Sequence, residues 1–536
     1  MKKERNIIIL ICCLIAGILG YKFSDLNFTG GSSEDDAKNR IKVPVSNESG
    51  FITPLKKKFA GLPQDEFFDN TGSVQEILKG EKILHFKSKE EMEAFLRRAR
   101  EAGMTVIKKI DGLNIVKVRF TRNKDMNDFL ARFHEISYIS NNDPMAIPDP
   151  LLQGGGAGFR SHPLKFLGIE DNTGWGKGVK VAVIDTGVAS HPALKGQVEH
   201  IDLIGDGSAI TSFHGTAVAS LIAGDSGLIK GISPEASILD IRALNADGSG
   251  DAFTVAEGIY EAVKNGAKVI NLSLGTPSDN AALREAVLYA QRNGVILVAA
   301  VGNEGAGQVS YPANYPGVIG VSANDANEGY LTFSNRGQNV DLAAPGIELT
   351  AAGVNNDTVL FTGTSASAPL VAGTVAHMLE QYPDMTYEEV VSNLQNSANE
   401  AGPPGEDVYF GEGILNVGRL EANSSQQVVD AAASGFYLEE TGNPQELKLY
   451  AIGENRGTEP VDYVEMNISY PGFEKTYIFK NIESSQTFYE TLTLDMNSTL
   501  IKEEQQIILQ VKGVKGDKVV NNDVKGVRIR LNNEQK

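Results

Sequence analysis

The chain has 536 residues, 41% of them hydrophobic, with 56 glycines and 20 prolines. At about 100–200 residues per domain, this length predicts three or four folded units and excludes a single small binding module. The Lys and Arg residues number 49 against 68 Asp and Glu residues, so the formal charge is -19. Because a negatively charged protein repels the phosphate backbone, the composition argues against nucleic-acid binding.

Residues 1–27 have the pattern of an export signal. A basic start precedes an apolar run of about 13 residues, Ile7 to Leu19, whereas a membrane-spanning helix needs about 20. We predict a signal peptide that directs the protein out of the cytoplasm. The alternatives are an uncleaved anchor that tethers the protein to the membrane, a lipid-modified Cys13, and a buried core helix. Both cysteines of the chain, Cys12 and Cys13, lie in this run, so neither disulfide nor thiolate chemistry is expected in the folded units.

Residues 28–80 are rich in small and polar residues without a sustained period, which is typical of a flexible linker. Residues 81–142 are more regular and predict the element order β-α-β-β-α-β of a ferredoxin-like α+β unit. Its two helices carry apolar residues at helical spacing, namely Met92, Phe95, Leu96 and Ala99 in the first, and Met126, Phe129, Leu130 and Phe133 in the second.

Residues 155–422 alternate apolar strands with amphipathic helices. Near-continuous apolar strands, such as Val179 to Ile184 and Val295 to Val301, are typical of a parallel sheet covered by helices on both faces. We therefore predict a three-layer α/β/α domain. Residues 423–536 change to short alternating runs separated by turns, which predicts a small β-sandwich.

Three polar residues of the α/β region lie at predicted ends of elements. Asp185 follows the strand Val181 to Ile184, at the carboxyl edge of the sheet where parallel sheets commonly form their functional sites. His214 and Ser365 each begin an apolar helix. A serine hydroxyl becomes a good nucleophile when an imidazole accepts its proton, and the imidazole needs a carboxylate to hold its tautomer. Each residue alone is compatible with an ordinary turn or helix cap, but together they supply a catalytic triad.

The motifs around these residues resemble the three signatures of subtilisin-like serine peptidases. They read Val-Ala-Val-Ile-Asp-Thr-Gly at 181–187, His-Gly-Thr at 214–216 and Gly-Thr-Ser-Ala-Ser-Ala-Pro at 363–369. The chain order Asp, His, Ser is also that of subtilisin. The resemblance covers residues 155–422 and implies the subtilisin-like fold and peptide-bond hydrolysis on protein or peptide substrates.

The resemblance implies further site residues. Asn303, in the segment Ala-Ala-Val-Gly-Asn, matches the residue whose side chain donates a hydrogen bond to the oxyanion. Ser310 matches the floor of the primary specificity pocket, where a small residue admits large apolar side chains. Two segments resemble the edge strands that bind an extended substrate by strand addition, namely Gly248, Ser249 and Gly250, and Ser273, Leu274 and Gly275.

The predicted chemistry requires no metal ion or other cofactor. The sequence also departs from the family at two places: Ala217 replaces a second histidine that packs but does not react, and the loop Asp225 to Gly231 lacks the Asn-rich run of the family's strong calcium site. A structural calcium ion held by carboxylates and carbonyls elsewhere is left open.

In this family a ferredoxin-like unit stands before the catalytic domain as a propeptide that assists folding and then inhibits the active site. Residues 81–142 carry a net charge of about +4 and residues 155–422 about -17, so the two units should attract each other. We therefore predict a zymogen that cleaves itself between Asn142 and Gly156. A plain difference in surface charge is the alternative.

Two other functions compete with a secreted or surface-tethered serine endopeptidase. An aspartic protease built on Asp185 would need a paired motif in a two-lobed all-β fold, and none occurs at the required place. An adhesion or scaffold protein with an inactive peptidase domain would not need the intact set Asp185, His214, Asn303 and Ser365. For the sandwich, substrate docking or wall attachment and a simple spacing role both remain open.

Overall fold

The structure of the protein, a computed structural model, describes residues 7–12, 41–42, 80–101, 105–119, 133–148, 156–195, 198–425, 427–503, 505–512, 514–517, 519 and 522–531. Two N-terminal strands, β1 (Ile7–Cys12) and β2 (Ile41–Lys42), pair antiparallel with each other, and β1 also pairs antiparallel with residues 526–531. The backbone of β1 is therefore extended and does not form the core helix weighed as an alternative. The rest of the predicted signal and linker lies outside the described residues.

A four-stranded antiparallel sheet follows. It contains β3 (Glu81–Phe86), β4 (Thr105–Ile110), β5 (Ile115–Arg119) and β6 (Ile136–Asn141), with helix α1 (Lys89–Glu101) after β3 and a short 3-10 helix (Asp111–Leu113) after β4. The strand order β4-β5-β3-β6 is that of a ferredoxin-like unit. Met92 and Phe95 on α1 are fully buried against the sheet. Most of the second predicted helix falls within 120–132, outside the described residues.

Seven parallel strands form the central sheet of the next unit. They are β8 (Lys180–Asp185), β9 (Val198–Asp202), β10 (Ser237–Arg242), β12 (Val269–Leu272), β13 (Ile296–Ala300), β14 (Val318–Asn324) and β15 (Leu342–Pro345). Their spatial order is β15-β14-β13-β12-β8-β10-β9. Two short strands, β7 (Pro144–Ala146) and β11 (Ser249–Asp251), form a separate antiparallel pair.

Helices cover both faces of this sheet. They are α2 (His214–Ala223), α3 (Ala252–Lys264), α4 (Ala281–Arg292) and α5 (Thr364–Gln381). Because side chains alternate along a strand, Val181 and Val183 of β8 pack with α2 and α5, whereas Ala182 and Ile184 pack with α3 and α4. This arrangement confirms the predicted α/β class. The unit is completed by the hairpin β16 (Leu349–Ala352) and β17 (Thr358–Phe361) and by α6 (Tyr387–Ser397) and α7 (Val417–Ser425).

The C-terminal region is rich in β-structure. Its elements are β18 (Ala431–Glu440), β19 (Glu446–Asn455), β20 (Val461–Tyr470), β21 (Phe473–Ile482), β22 (Thr487–Asp495), the short helix α8 (Thr499–Lys502), β23 (Gln506–Lys512) and β24 (Val524–Leu531). Sheet β18-β19-β22 and sheet β21-β20-β23-β24, which β1 and β2 extend, share one apolar core. This is the predicted sandwich. It contacts the α/β unit through a buried ion pair, in which Arg419 Nη1 lies 2.5 Å from Glu454 Oε1.

No helix in the described ranges is both long enough and apolar enough to cross a membrane.

Candidate active site

Asp185 and His214 form a buried pair at the carboxyl end of β8. Asp185 ends that strand and has no solvent exposure, and His214 is the first residue of α2. Each carboxylate oxygen of Asp185 lies 2.9 Å from His214 Nδ1. Asp185 Oδ1 also accepts hydrogen bonds from the backbone N–H and the hydroxyl of Thr186. The carboxylate is thereby fixed in place and favours the tautomer with the proton on Nδ1, which leaves Nε2 to act as a base.

Ser365 lies in the first turn of α5, directly after a tight turn. The turn contains Gly363, whose φ is +128°, and a Cβ at this position would lie 2.8 Å from Asn303 Nδ2. Glycine is therefore required there. Ser365 Oγ donates a hydrogen bond to the carbonyl of Ser273 at 3.3 Å, and Ser273 Oγ donates to the carbonyl of Ser365 at 3.1 Å. His214 Nε2 has no hydrogen-bond partner among the described residues.

Asn303 presents its amide group to a peptide carbonyl. It lies just beyond β13, and its Oδ1 accepts hydrogen bonds from the backbone N–H and the hydroxyl of Thr364, both at 2.9 Å. Because the amide oxygen is fixed in this way, the Nδ2 group points in the other direction. It donates to the carbonyl of Pro148 at 2.8 Å.

The two predicted edge segments hold a strand between them. Ala146 in β7 exchanges both backbone hydrogen bonds with Gly275, at 3.1 and 2.8 Å, and Ile147 N–H donates to the carbonyl of Gly248 at 3.0 Å. On the other side, β7 pairs antiparallel with Ser249 and its neighbours in β11. Residues 144–148 thus occupy the position expected for an extended substrate. The cleavage range predicted from the sequence, between Asn142 and Gly156, includes this segment, but the sequence did not indicate which of its residues enter the cleft.

Ser310 lies beside a carboxyl group that the sequence analysis missed. Asn335 Nδ2 donates to Ser310 Oγ at 3.3 Å and to Glu304 Oε2 at 2.5 Å. A Cβ at Gly302 would lie 2.7 Å from both of these acceptor oxygens. Burial raises the pKa of Glu304. The surroundings of Ser310 are therefore more polar than a small pocket floor alone would suggest. No local pattern in the sequence indicates this, because the contact runs through Asn335.

The described residues contain no group of three or more His, Cys, Asp or Glu side chains arranged to hold a metal ion. In the loop after α2, Asp225 pairs with Lys195 at 3.2 Å and with Lys230 at 3.3 Å. These lysines neutralise its charge and hold its pKa below the usual range. A structural calcium ion elsewhere stays a prediction.

Comparison with known proteins identifies the family. A family model described as the subtilase family matches residues 176–413. Subtilisin Savinase of Lederbergia lenta is 37% identical over 244 residues, which cover 45% of this chain and 90% of that protein. The chain belongs to the subtilase family. A thermostable alkaline protease of Halalkalibacterium halodurans is 36% identical to this subtilase over 255 residues, 46% of the chain and 68% of the relative.

This subtilase is accordingly a subtilisin-like serine endopeptidase. The resemblance inferred from the three motifs is confirmed, because the family match spans all of them. Asp185, His214, Asn303 and Ser365 all lie within the matched range. The ferredoxin-like unit and the sandwich lie outside it.

Proposed function

We propose that this subtilase hydrolyses peptide bonds through a triad of Asp185, His214 and Ser365 and is made as a zymogen that processes itself. Ser365 Oγ attacks the scissile carbonyl while His214 Nε2 accepts its proton, and His214 then donates a proton to the leaving amine. Asp185 orients the imidazole and stabilises its charged form. Asn303 Nδ2, together with the backbone N–H of Ser365, stabilises the tetrahedral oxyanion.

The observation that carries this proposal is the position of the Pro148 carbonyl. It lies 2.8 Å from Asn303 Nδ2, on a segment bound between Gly248 and Gly275 by backbone hydrogen bonds. The amide that donates to this carbonyl is the proposed oxyanion donor, which supports Pro148 as the residue whose carbonyl is attacked.

The zymogen part of the proposal is supported by charge pairs between the ferredoxin-like unit and the catalytic unit. Lys108 Nζ lies 2.7 Å from Glu257 Oε2, and Lys117 Nζ lies 3.4 Å from Asp251 Oδ2. In both pairs the cation belongs to the basic unit and the carboxylate to the acidic one, as the net charges predicted. We propose that the unit is a propeptide that inhibits the enzyme until it is cut between Asn142 and Gly156.

Export to the cell exterior is also proposed, on the basis of the N-terminal pattern in residues 1–27. Comparing the N-terminus of protein recovered from the medium with that of protein recovered from the membrane fraction distinguishes a cleaved signal from an anchor.

The decisive experiment compares the chain with its Ser365→Ala twin. Both are analysed by intact mass spectrometry and treated with a fluorophosphonate probe, which reacts with activated serines. We expect the wild type to lose the proposed propeptide and to be labelled, and the twin to stay whole and unlabelled. A folded wild type that takes up no probe would contradict the proposal and favour an inactive scaffold.

A further inference from the structure

Pro148 is the residue of the bound segment whose carbonyl meets Asn303. Ala146 and Gly275 exchange both of their backbone hydrogen bonds. In an antiparallel ladder the next pair of this kind lies two residues further along each strand, which sets residue 148 opposite Ser273. The carbonyl of residue 148 accepts from Asn303, as described above. Residue 148 is therefore the one whose N–H would donate to the Ser273 carbonyl.

Pro148 has no N–H to donate. The Ser273 carbonyl instead accepts a hydrogen bond from Ser365 Oγ, at 3.3 Å. The hydroxyl proton of Ser365 is thereby directed away from the base that has to accept it, and His214 Nε2 is without a partner in the described part of the chain. A residue with an N–H at position 148 would compete for the Ser273 carbonyl and leave the hydroxyl of Ser365 free to turn to His214.

The binding of residues 143–148 to the catalytic unit does not depend on an N–H at residue 148. Immediately before β7, the Asp143 carbonyl accepts from Ala252 N–H at 2.8 Å and Asp143 Oδ2 accepts from Asn280 Nδ2 at 2.7 Å, at the starts of α3 and α4. Met145 is 1% exposed and packs into the apolar core beneath these helices. The segment is thus well bound in the ground state but lacks a contact that aligns the reacting carbonyl. Such a defect lowers the rate of reaction more than the affinity.

We propose that self-processing cleaves the bond that follows Pro148, and that the missing N–H of Pro148 makes this cleavage slow and so prolongs the latent state. The inference rests on the proposed function. Ser365 Oγ forms an ester with the Pro148 carbonyl carbon, the C–N bond to Asp149 breaks, and the leaving amine takes the proton from His214. Water then hydrolyses the ester, which leaves a carboxylate on Pro148 and restores the Ser365 hydroxyl.

The test restores the N–H in the full chain. Pro148→Ala and Pro148→Gly each supply it, and Pro144→Ala is the matched control, because it removes a proline of the same segment whose partner residue in the ladder is Asp251. Each protein is refolded from denaturant and followed by intact mass spectrometry at several concentrations. We expect both Pro148 variants to process about tenfold faster than the wild type and Pro144→Ala, as one additional hydrogen bond in the transition state would produce. All four should yield Asp149 as the new N-terminus.

The possible results separate this inference from the function on which it rests. Equal rates in the wild type and both Pro148 variants, or a new N-terminus other than Asp149, would overturn the inference while leaving the enzyme assignment intact. Self-cleavage of the Ser365→Ala twins would instead contradict the proposed function. Thermal unfolding of these twins, which are expected to stay uncut, checks that the changes at residue 148 leave the fold unaltered.

Discussion

Two buried carboxylates on adjacent strands each hold a histidine. Asp185 on β8 accepts from His214, and Asp240 on β10 accepts from His200 Nδ1 at 2.9 Å. The first histidine is buried, whereas the side chain of His200 is 56% exposed. An aspartate–histidine pair therefore belongs to the proposed catalytic site on β8, and a second such pair on β10 lies nearer the surface.

This duplication provides a matched control for the triad. Asp185→Asn should lower kcat about 10⁴-fold, because a neutral amide can hold the wrong tautomer of His214 and cannot stabilise its charged form. Asp240→Asn removes an equally buried carboxylate and should leave kcat near the wild-type value. Kinetics on a chromogenic peptide, with thermal unfolding of each variant, measures both effects. Similar losses of kcat in the two variants would argue against the assigned role of Asp185.

Glu400 is a buried carboxyl group with an incomplete set of partners. Its Oε2 accepts from Gly405 N–H at 2.9 Å, and its Oε1 has no partner among the described residues. Burial, followed by the nearby charges of Glu454 and Asp407, raises the pKa of Glu400 from 4.5 to about 8. The folded protein therefore keeps this proton at pH values where the unfolded chain has lost it, and Glu400 lowers the stability progressively as pH rises from 4.5 to 8.

Replacing this carboxyl group by an amide should remove that pH dependence. Glu400→Gln keeps an oxygen acceptor for Gly405 N–H but cannot ionise. We expect the variant to match the wild type near pH 4 and to be more stable by roughly 1–3 kcal/mol at pH 9. Denaturant unfolding of the Ser365→Ala background at both pH values measures the difference without self-digestion. A constant difference across the range would show that Glu400 does not titrate in this window.

At the scale of elements, a single short strand connects the ferredoxin-like unit to the cleft. β7 is only three residues long, and its register in the cleft is set by backbone hydrogen bonds, which a proline cannot donate. Its register fixes which carbonyl meets Asn303, because a slip by one residue would turn every hydrogen-bonding group to the other side.

Ala146→Pro should therefore disrupt processing. The change removes the N–H that donates to Gly275, and we expect self-cleavage to slow by at least about tenfold. Ala146→Ser is the matched control, since it keeps the N–H and adds a single small group. The masses of both variants are followed over time, as for the wild type. Unchanged processing in Ala146→Pro would mean that the pairing with Gly275 does not align the segment.

At the scale of the whole molecule, charge links the units. The sandwich meets the catalytic unit at Arg419, whose guanidinium donates to Glu454 and to the hydroxyl of Ser485. Arg456 Nε also donates to Glu454, at 3.1 Å. The two arginines hold the pKa of the Glu454 carboxyl below its usual range despite its burial. Removing that carboxylate would leave both buried arginines without their ion-pair partner, and Arg456 would keep other negative charges nearby, those of Glu328 and Asp430.

Glu454→Ala should for this reason destabilise the protein by about 3–5 kcal/mol. Calorimetry of the Ser365→Ala background measures the loss and reveals whether the sandwich then unfolds separately. Glu439→Ala is the control on the neighbouring strand of the same sheet, because its contact with Lys448, at 3.6 Å, is exposed and should contribute under about 1 kcal/mol. Equal losses in the two variants would show that burial adds nothing to this contact.

The sequence by itself determined the fold class and supplied the residues of the proposed triad. Apolar strands predicted the parallel sheet because strands covered on both faces bury every side chain, and the predicted runs Val179 to Ile184 and Val295 to Val301 correspond to β8 and β13. Asp185, His214 and Ser365 could be predicted because each stands in a short motif at the end of an element. These are local properties, which can be predicted from residues adjacent in the sequence.

Only the tertiary structure decided which residues that are distant in the sequence come into contact at the site and between the units. Asn303 and Pro148 are separated by 155 positions, and Arg419 and Glu454 belong to different units. Glu304 meets Ser310 only through Asn335, which follows it by 31 positions. Such contacts depend on how distant segments pack, and no local period or motif encodes them. The register of β7 is of this kind, and it alone decides that the residue presented to Asn303 is a proline without an N–H.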